Sequence, residues 1–201
     1  MSFRTSVGSP VHIILMVSII AIAGNGAYAN PITLGTWYEF GFDPAHSFTT
    51  VPGCFPADPM GVPCPPPDPG VVSTFLGAPP WTFSLSTLGL LTITDVFLPG
   101  DSFQVFDNGA LIGSTNVVPS TGISCGINPD ACLTNPNFSH GAFPVSAGPH
   151  SITVGVSPAQ ILGEGFFRVD AIPEPSTLLL LASGVACLIV KKVRYSTHLR
   201  S

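Results

Sequence analysis

The chain has 201 residues, a formal net charge of −5 and only 8% charged residues, with 22 Pro, 21 Gly, 14 Phe and 5 Cys. Between residues 30 and 171 ten carboxylates stand against one cation, Arg168, so the phosphate neutralisation that nucleic-acid affinity depends on is missing and DNA and RNA are excluded as partners. So many chain breakers also argue against a bundle of long helices, while the aromatic content is enough to build one core and argues against disorder.

In chain order, Arg4 precedes an apolar stretch from Val11 to Ala23, and Ala27-Tyr28-Ala29 offers the small residues that a signal peptidase reads. Residues 1–29 are therefore expected to be a secretory signal peptide, cut after Ala29. Trp37 to Phe42 reads as a first strand. The segment "VPGCFPADPMGVPCPPPDPG", Val51 to Gly70, is expected to be a surface loop, because each Pro removes a ladder donor.

Trp81, Phe83 and Leu85 alternate with Thr82, Ser84 and Ser86, and Ile152, Val154 and Val156 alternate with Ser151, Thr153 and Gly155. Period two of this kind predicts half-buried strands. Leu90 to Leu98 is denser in β-branched and aromatic residues and is expected to be covered on both faces. "DSFQVFDNGALIGST", Asp101 to Thr115, predicts a hairpin, since Asp107-Asn108-Gly109 accepts positive φ between two strand-like runs. Gly141 to Val145 and Gly165 to Asp170 complete the strands, and no amphipathic helix is expected.

Cys54 and Cys64 bracket most of the Pro-rich loop; Cys125 and Cys132 bracket a second loop, "CGINPDAC". In an exported chain thiols at such short separations favour disulfides, so 54 is expected to pair with 64 and 125 with 132, leaving Cys187 outside. Zinc is the rival, but neither spacing is Cys-x-x-Cys and His46, His140 and His150 show no ligand rhythm with them. No metal and no cofactor is expected.

Three further patterns carry chemistry. "GISCG", Gly122 to Gly126, meets the nucleophile-elbow pattern with Ser124, and Asp130 and then His140 or His150 follow in a hydrolase order. The strand, tight turn and helix that an elbow needs are not readable around it, so the chain is not expected to be an enzyme. Asp95, Asp101, Asp107 and Asp130 could converge on Ca²⁺, though without EF-hand or repeat spacing they read first as solvated turn residues. Trp37, Tyr38 and Trp81 could stack on sugar rings if exposed; their alternating neighbours place them in the core first, and Trp37 and Trp81 are the candidate ligand contacts.

At the far end Leu178 to Val190 is apolar and Lys191, Lys192 and Arg194 follow, a stop-transfer arrangement that holds positive charge on the cytoplasmic side. As a helix the run spans roughly 20 Å, short of the ~30 Å hydrocarbon core. That suits a temporary transmembrane helix better than a lasting single-pass anchor. Pro173-Glu174-Pro175-Ser176-Thr177, the Leu-rich run and the basic cluster together resemble the PEP-CTERM sorting signal of exported bacterial proteins, a segment also known as the ice-binding protein C-terminal domain. The resemblance covers about the last thirty residues. It implies recognition of Pro173, Glu174 and Pro175 by a membrane-embedded exosortase, transient anchoring in the inner membrane, then release to the cell surface or outside. "ITDVFLPGDSFQVFDNG", "AGPHSITVGV" and "GFFRVDAIPEP" resemble the body of other such proteins more loosely. Ice binding itself would need a flat face of repeated Thr-bearing turns, and no such period occurs.

The expected organisation is a signal peptide over residues 1–29, an all-β domain over 30–171 and a sorting segment over 172–201. The domain is expected to be a single antiparallel β-sandwich, jelly-roll or immunoglobulin-like, with two disulfide-closed loops. The expected function is that of a secreted, non-catalytic surface or matrix protein associated with exopolysaccharide or biofilm. A carbohydrate-binding module, Ca²⁺-dependent or not, is the alternative; a secreted serine hydrolase comes third.

Overall fold

The computed structural model describes residues 30–157 and 162–173. The predicted signal peptide, Glu174, Pro175, the apolar run and the basic residues Lys191, Lys192 and Arg194 lie outside the described residues. No helix among the described residues is long and apolar enough to cross a membrane.

In chain order the strands are β1 (Asn30–Pro31), β2 (Trp37–Phe42), β3 (Cys54–Phe55), β4 (Val62–Pro63), β5 (Ser73–Phe75), β6 (Trp81–Leu85), β7 (Gly89–Asp95), β8 (Ser102–Asp107), β9 (Ala110–Ser114), β10 (His140–Val145), β11 (Gly148–Ser157) and β12 (Gly163–Ala171). Among the described residues one short α-helix, α1, spans Pro129–Leu133, and a 3-10 turn spans Pro44–His46. The strands form two five-stranded sheets, in the order β1-β6-β11-β8-β9 and β10-β7-β12-β2-β5, and a two-residue pair, β3-β4. The β-sandwich is thus as expected in outline.

Its core is aromatic. Alternation along β6 turns Trp81, Phe83 and Leu85 inward, and from the facing sheet come Tyr38, Phe40, Phe42, Phe167 and Val169. The Trp81 ring stacks on Phe167 at 5.0 Å between centroids and lies 5.5 Å from Phe40, which meets Phe103 edge-on at 5.4 Å. Such pairs add about 0.5–1.5 kcal/mol each beyond the area they bury. The β8–β9 hairpin turns where the sequence requires it, with Asn108 at φ 50° and Gly109 at φ 81°.

Four details depart from expectation. Two edge pairs are parallel, β1 with β6 and β2 with β5; neither pair is joined by a tight hairpin, which would force the antiparallel direction. β7 ends at Asp95 instead of Leu98, as Phe97 takes φ 64° and Pro99 cannot donate. A single helical turn, α1, forms inside the second cysteine loop: Pro129 opens it and the Asn128 side chain caps it, accepting from the Asp130 and Ala131 amides at 3.1 Å.

The fourth departure matters most for function. The Pro-rich segment is not simply a surface loop: Val51, Cys54, Asp58 and Val62 are buried, and it folds down onto the outer face of the second sheet. Gly41 permits the approach, since a Cβ there would lie 2.1 Å from Val62 Cγ2 and 2.8 Å from Cys64 Sγ. The second cysteine loop covers the same face further along, packing Cys132 and Phe138 against Trp37, Val96 and Phe166. The second sheet is therefore sandwiched on both sides, and all six residues of β2 are buried.

Candidate functional site

Burying both faces of β2 carries one acid inside with the aromatics. Glu39 is opposite Phe166 on the neighbouring β12, and Glu164 is opposite Gly41, so the two glutamates are diagonal neighbours on the covered outer face. Their carboxyls are close enough to influence each other's ionisation. Asp95, at the end of β7, is opposite Gly165 and so in the inner-face register with Phe40, with Asp101, just before β8, beside it; Asp95 is still near enough for its charge to repel Glu164. Glu39 is fully buried, and Asp95, Glu164 and Asp101 are buried almost as deeply.

The surroundings do little to offset these charges. Ser73 Oγ donates to Glu39 Oε2 at 3.5 Å, and the Val96 amide donates to Asp95 Oδ1 at 3.0 Å. Glu39 Oε1, Asp95 Oδ2 and both Glu164 oxygens accept nothing. An ionised pair has no proton to share, so the contact between the two glutamates cannot satisfy them unless one is protonated. Burial pushes Glu39 up to about 7; Glu164 rises to about 9, by burial first and then by repulsion from Glu39, Asp95 and Asp68. Burial, reinforced by Asp101, holds Asp95 well above the usual carboxylate range, and burial alone brings Asp101 to about 6. A cavity of about 140 Å³, walled by Pro63, Pro65, Leu98 and Leu162, opens onto Glu164 and Asp101.

Both loops that roof the cluster are cross-linked. Cys54 is bonded to Cys64 and Cys125 to Cys132, the pairings expected from their spacing. Asp68 ties one loop to the other, its amide donating to the Ile127 carbonyl at 3.0 Å and its Oδ2 accepting from the Ile127 amide at 3.1 Å. The Cys54 and Cys64 sulfurs lie within 4.8 Å of a Glu39 oxygen, but as a disulfide they offer no thiolate to a metal.

The candidate ligand contacts are corrected. Trp81 is completely buried in the aromatic core, its Nε1 donating to the Gly77 carbonyl at 2.9 Å, so it presents no face to a glycan. Trp37 points to the outer face yet lies under the second cysteine loop, 5% exposed; its Nε1 donates to Asp130 Oδ1 at 3.1 Å and the Arg168 guanidinium sits 4.4 Å from its ring centre. The second sheet is roofed where the sequence offered no sign of a roof.

Of the four aspartates that could have converged on Ca²⁺, Asp95 and Asp101 do come together. Asp107 instead accepts from His150 Nδ1 at 2.7 Å and from the Ser151 amide, and Asp130 serves Trp37. Ser124 Oγ accepts from the Gly126 amide at 3.0 Å, between Gly122 and Gly126 at positive φ, in a loop with no preceding strand. His150 is held by Asp107 and the Ser146 carbonyl, and His140 by the Phe138 carbonyl. The residues that sequence reasoning missed are Glu39 and Glu164. Their only signal was an acid set within strongly apolar strands, "WYEFGF" and "GEGFF".

No curated protein matches the chain. Among solved structures it resembles the pre-peptidase C-terminal domain of collagenase from Bacillus anthracis, at 11% identity and TM-score 0.37, covering 71% of this chain and 94% of that one. It also resembles CBM35 from Cellvibrio japonicus Abf62, at 10% identity and TM-score 0.32, covering 67% and 98%. Neither likeness is close enough to assign a ligand. Residues 171–194 match the family model of the PEP-CTERM protein-sorting motif. The chain therefore carries a PEP-CTERM sorting motif that begins where the last described strand ends, the mark of an exported protein that an exosortase sorts.

Proposed function

We propose that this is a non-catalytic surface or extracellular-matrix protein, released by an exosortase into the exopolysaccharide or biofilm layer. The observation that carries the reading is the place where the motif begins. β12 is an interior strand paired with both β7 and β2, and its ladder is complete at Ala171, opposite Gly89. The Ile172 amide makes one more bond, to the Leu88 carbonyl at 2.8 Å. Ala171, Ile172 and Pro173 are exposed, so the first residues of the motif are open to a membrane-bound processing enzyme while the sandwich stays folded. Among the described residues a cut there removes no strand and no core residue, which suits a domain made to leave its anchor whole.

The intact mass of the mature product from its native host tests the sorting. It is expected to begin at Asn30, to end near Pro173–Pro175 and to lack the hydrogens of two disulfides; material on or outside the cell with Ser201 attached would overturn the reading. The matrix role is tested separately, by co-fractionation with exopolysaccharide that is lost on digesting the polysaccharide. Labelling by a serine-reactive probe that disappears in Ser124→Ala would overturn the non-catalytic part. A carbohydrate-binding role would fall to the exposed rings of Phe48, Phe55 and Phe97, not to the buried tryptophans.

A further inference from the structure

We propose that the cavity beside Asp101 binds a small organic ammonium, its apolar body seated among Pro63, Pro65, Val96, Phe97, Leu98 and Leu162 and its charge paired with the Asp101 carboxylate.

The cavity sets the size and character of the ligand. Its volume of about 140 Å³ is close to the roughly 150 Å³ of an apolar cavity that takes up benzene, and hydrocarbon makes up most of its wall. A sugar ring, with a hydroxyl on nearly every carbon, would leave those groups unpaired there. Phe97 and Leu162, each half exposed, form the rim. Phe97 is held at φ 64°, a conformation that bulky side chains rarely adopt, with its amide tied to the Gly126 carbonyl at 2.9 Å. Backbone strain of this kind clusters at ligand sites.

Asp101 sets the charge. It is 8% exposed, and among the described residues nothing donates a hydrogen bond to its carboxyl. Burial raises it to about 6, so at neutral pH it is ionised in an apolar setting with no donor to replace its water. Glu164 also lines the cavity, but both its carboxyl oxygens are sealed off, which leaves Asp101 as the carboxylate a ligand can reach. Arg168, the only Lys or Arg between residues 30 and 173, is committed elsewhere, 2.8 Å from Asp170 and 4.4 Å from the Trp37 ring centre. The counter-charge has to come with the ligand. One reachable carboxylate cannot hold a metal ion that wants about six oxygens. An ammonium needs only a charge-assisted hydrogen bond to it, and it brings an apolar body to fill the rest of the cavity. The inference is independent of how the chain is sorted.

The test is to titrate the full-length chain in detergent micelles with benzylammonium chloride by calorimetry, against micelles alone, with benzyl alcohol as the neutral match of the same size. One benzylammonium per chain is expected, bound at least tenfold more tightly than benzyl alcohol. Asp101→Asn is expected to weaken benzylammonium at least tenfold, to leave benzyl alcohol unchanged, and to unfold at no lower urea concentration than the unsubstituted chain, because it removes a buried charge. Those two further readouts separate loss of a ligand contact from loss of the fold. Leu162→Trp, which fills the rim, is expected to weaken both probes. Asp130→Asn, which removes the same charge outside the cavity, is expected to bind as the unsubstituted chain does. No saturable uptake above the micelle blank, equal affinity for the two probes, or undiminished benzylammonium binding by Asp101→Asn would overturn the proposal. Equally tight binding of N-acetyl-lysine amide would overturn the choice of a free small ammonium over a lysine side chain.

Discussion

Glu39 on β2 and Glu164 on β12 are diagonal neighbours on a sheet face that two disulfide-closed loops cover. Few arrangements in the domain are as expensive, and most of what can be tested follows from it.

Stability is expected to fall as pH rises. In the unfolded chain Glu39 and Glu164 ionise near their usual value of 4.5, while in the fold burial and mutual repulsion raise them to about 7 and about 9. Asp95 and Asp101 shift in the same direction. Below pH 4.5 both states hold these protons; above it the unfolded state releases them first, so stability is lost progressively through neutrality. Urea midpoints are expected to be lower at about pH 8 than at about pH 5, and Glu39→Gln or Glu164→Gln to flatten the slope.

The two disulfides are expected to differ in consequence. Each closes a short loop, with sequence separations of 10 and 7, and on the entropy model each contributes about 2–3 kcal/mol. Replacing Cys125 and Cys132 by Ser should lose about that much. The same change at Cys54 and Cys64 also loosens the roof over the carboxylates and should admit water to them, lessening that pH dependence. Urea melts of the two double variants at two pH values check this.

Gly41→Ala is expected to destabilise by about 1–3 kcal/mol, as overpacking does. The new methyl would press on Val62 and Cys64, so the loop must lift from the sheet. Faster proteolysis within residues 51–70, together with a lower urea midpoint, is the measurement; an unchanged midpoint would show that the loop does not lie on the sheet.

Trp81→Ala is expected to cost about 3–5 kcal/mol through the cavity it leaves among Phe40 and Phe167. Trp37→Phe should cost less, about 1–2 kcal/mol, by removing the bond to Asp130 and weakening the stacking of Arg168. Neither change should alter glycan binding. Denaturation curves and a glycan array decide both points.

How much of this was readable in the chain depended on how local the cause was. Alternation marked the strands at Trp81–Leu85 and within Gly148–Ser157, and Asp107-Asn108-Gly109 marked the hairpin, because side-chain direction and positive φ act within a few residues. The disulfide pairing was legible because short loops leave few alternatives. The fate of the tryptophans was not, since "WYEFGF" carries no trace of the loops, up to about a hundred residues away in sequence, that come to lie on it.

What the sequence determined by itself is the address: the Pro-Glu-Pro, apolar run and basic cluster are read linearly by a processing enzyme, so their order suffices. It also determined the all-β class, since strand period and turn chemistry are local. Only the tertiary structure decided that the second sheet is covered on both faces, and hence that Glu39 and Glu164 are buried side by side. A carboxylate's cost is set by what surrounds it in three dimensions, and those surroundings come from β2, β7, β12 and the two loops at once.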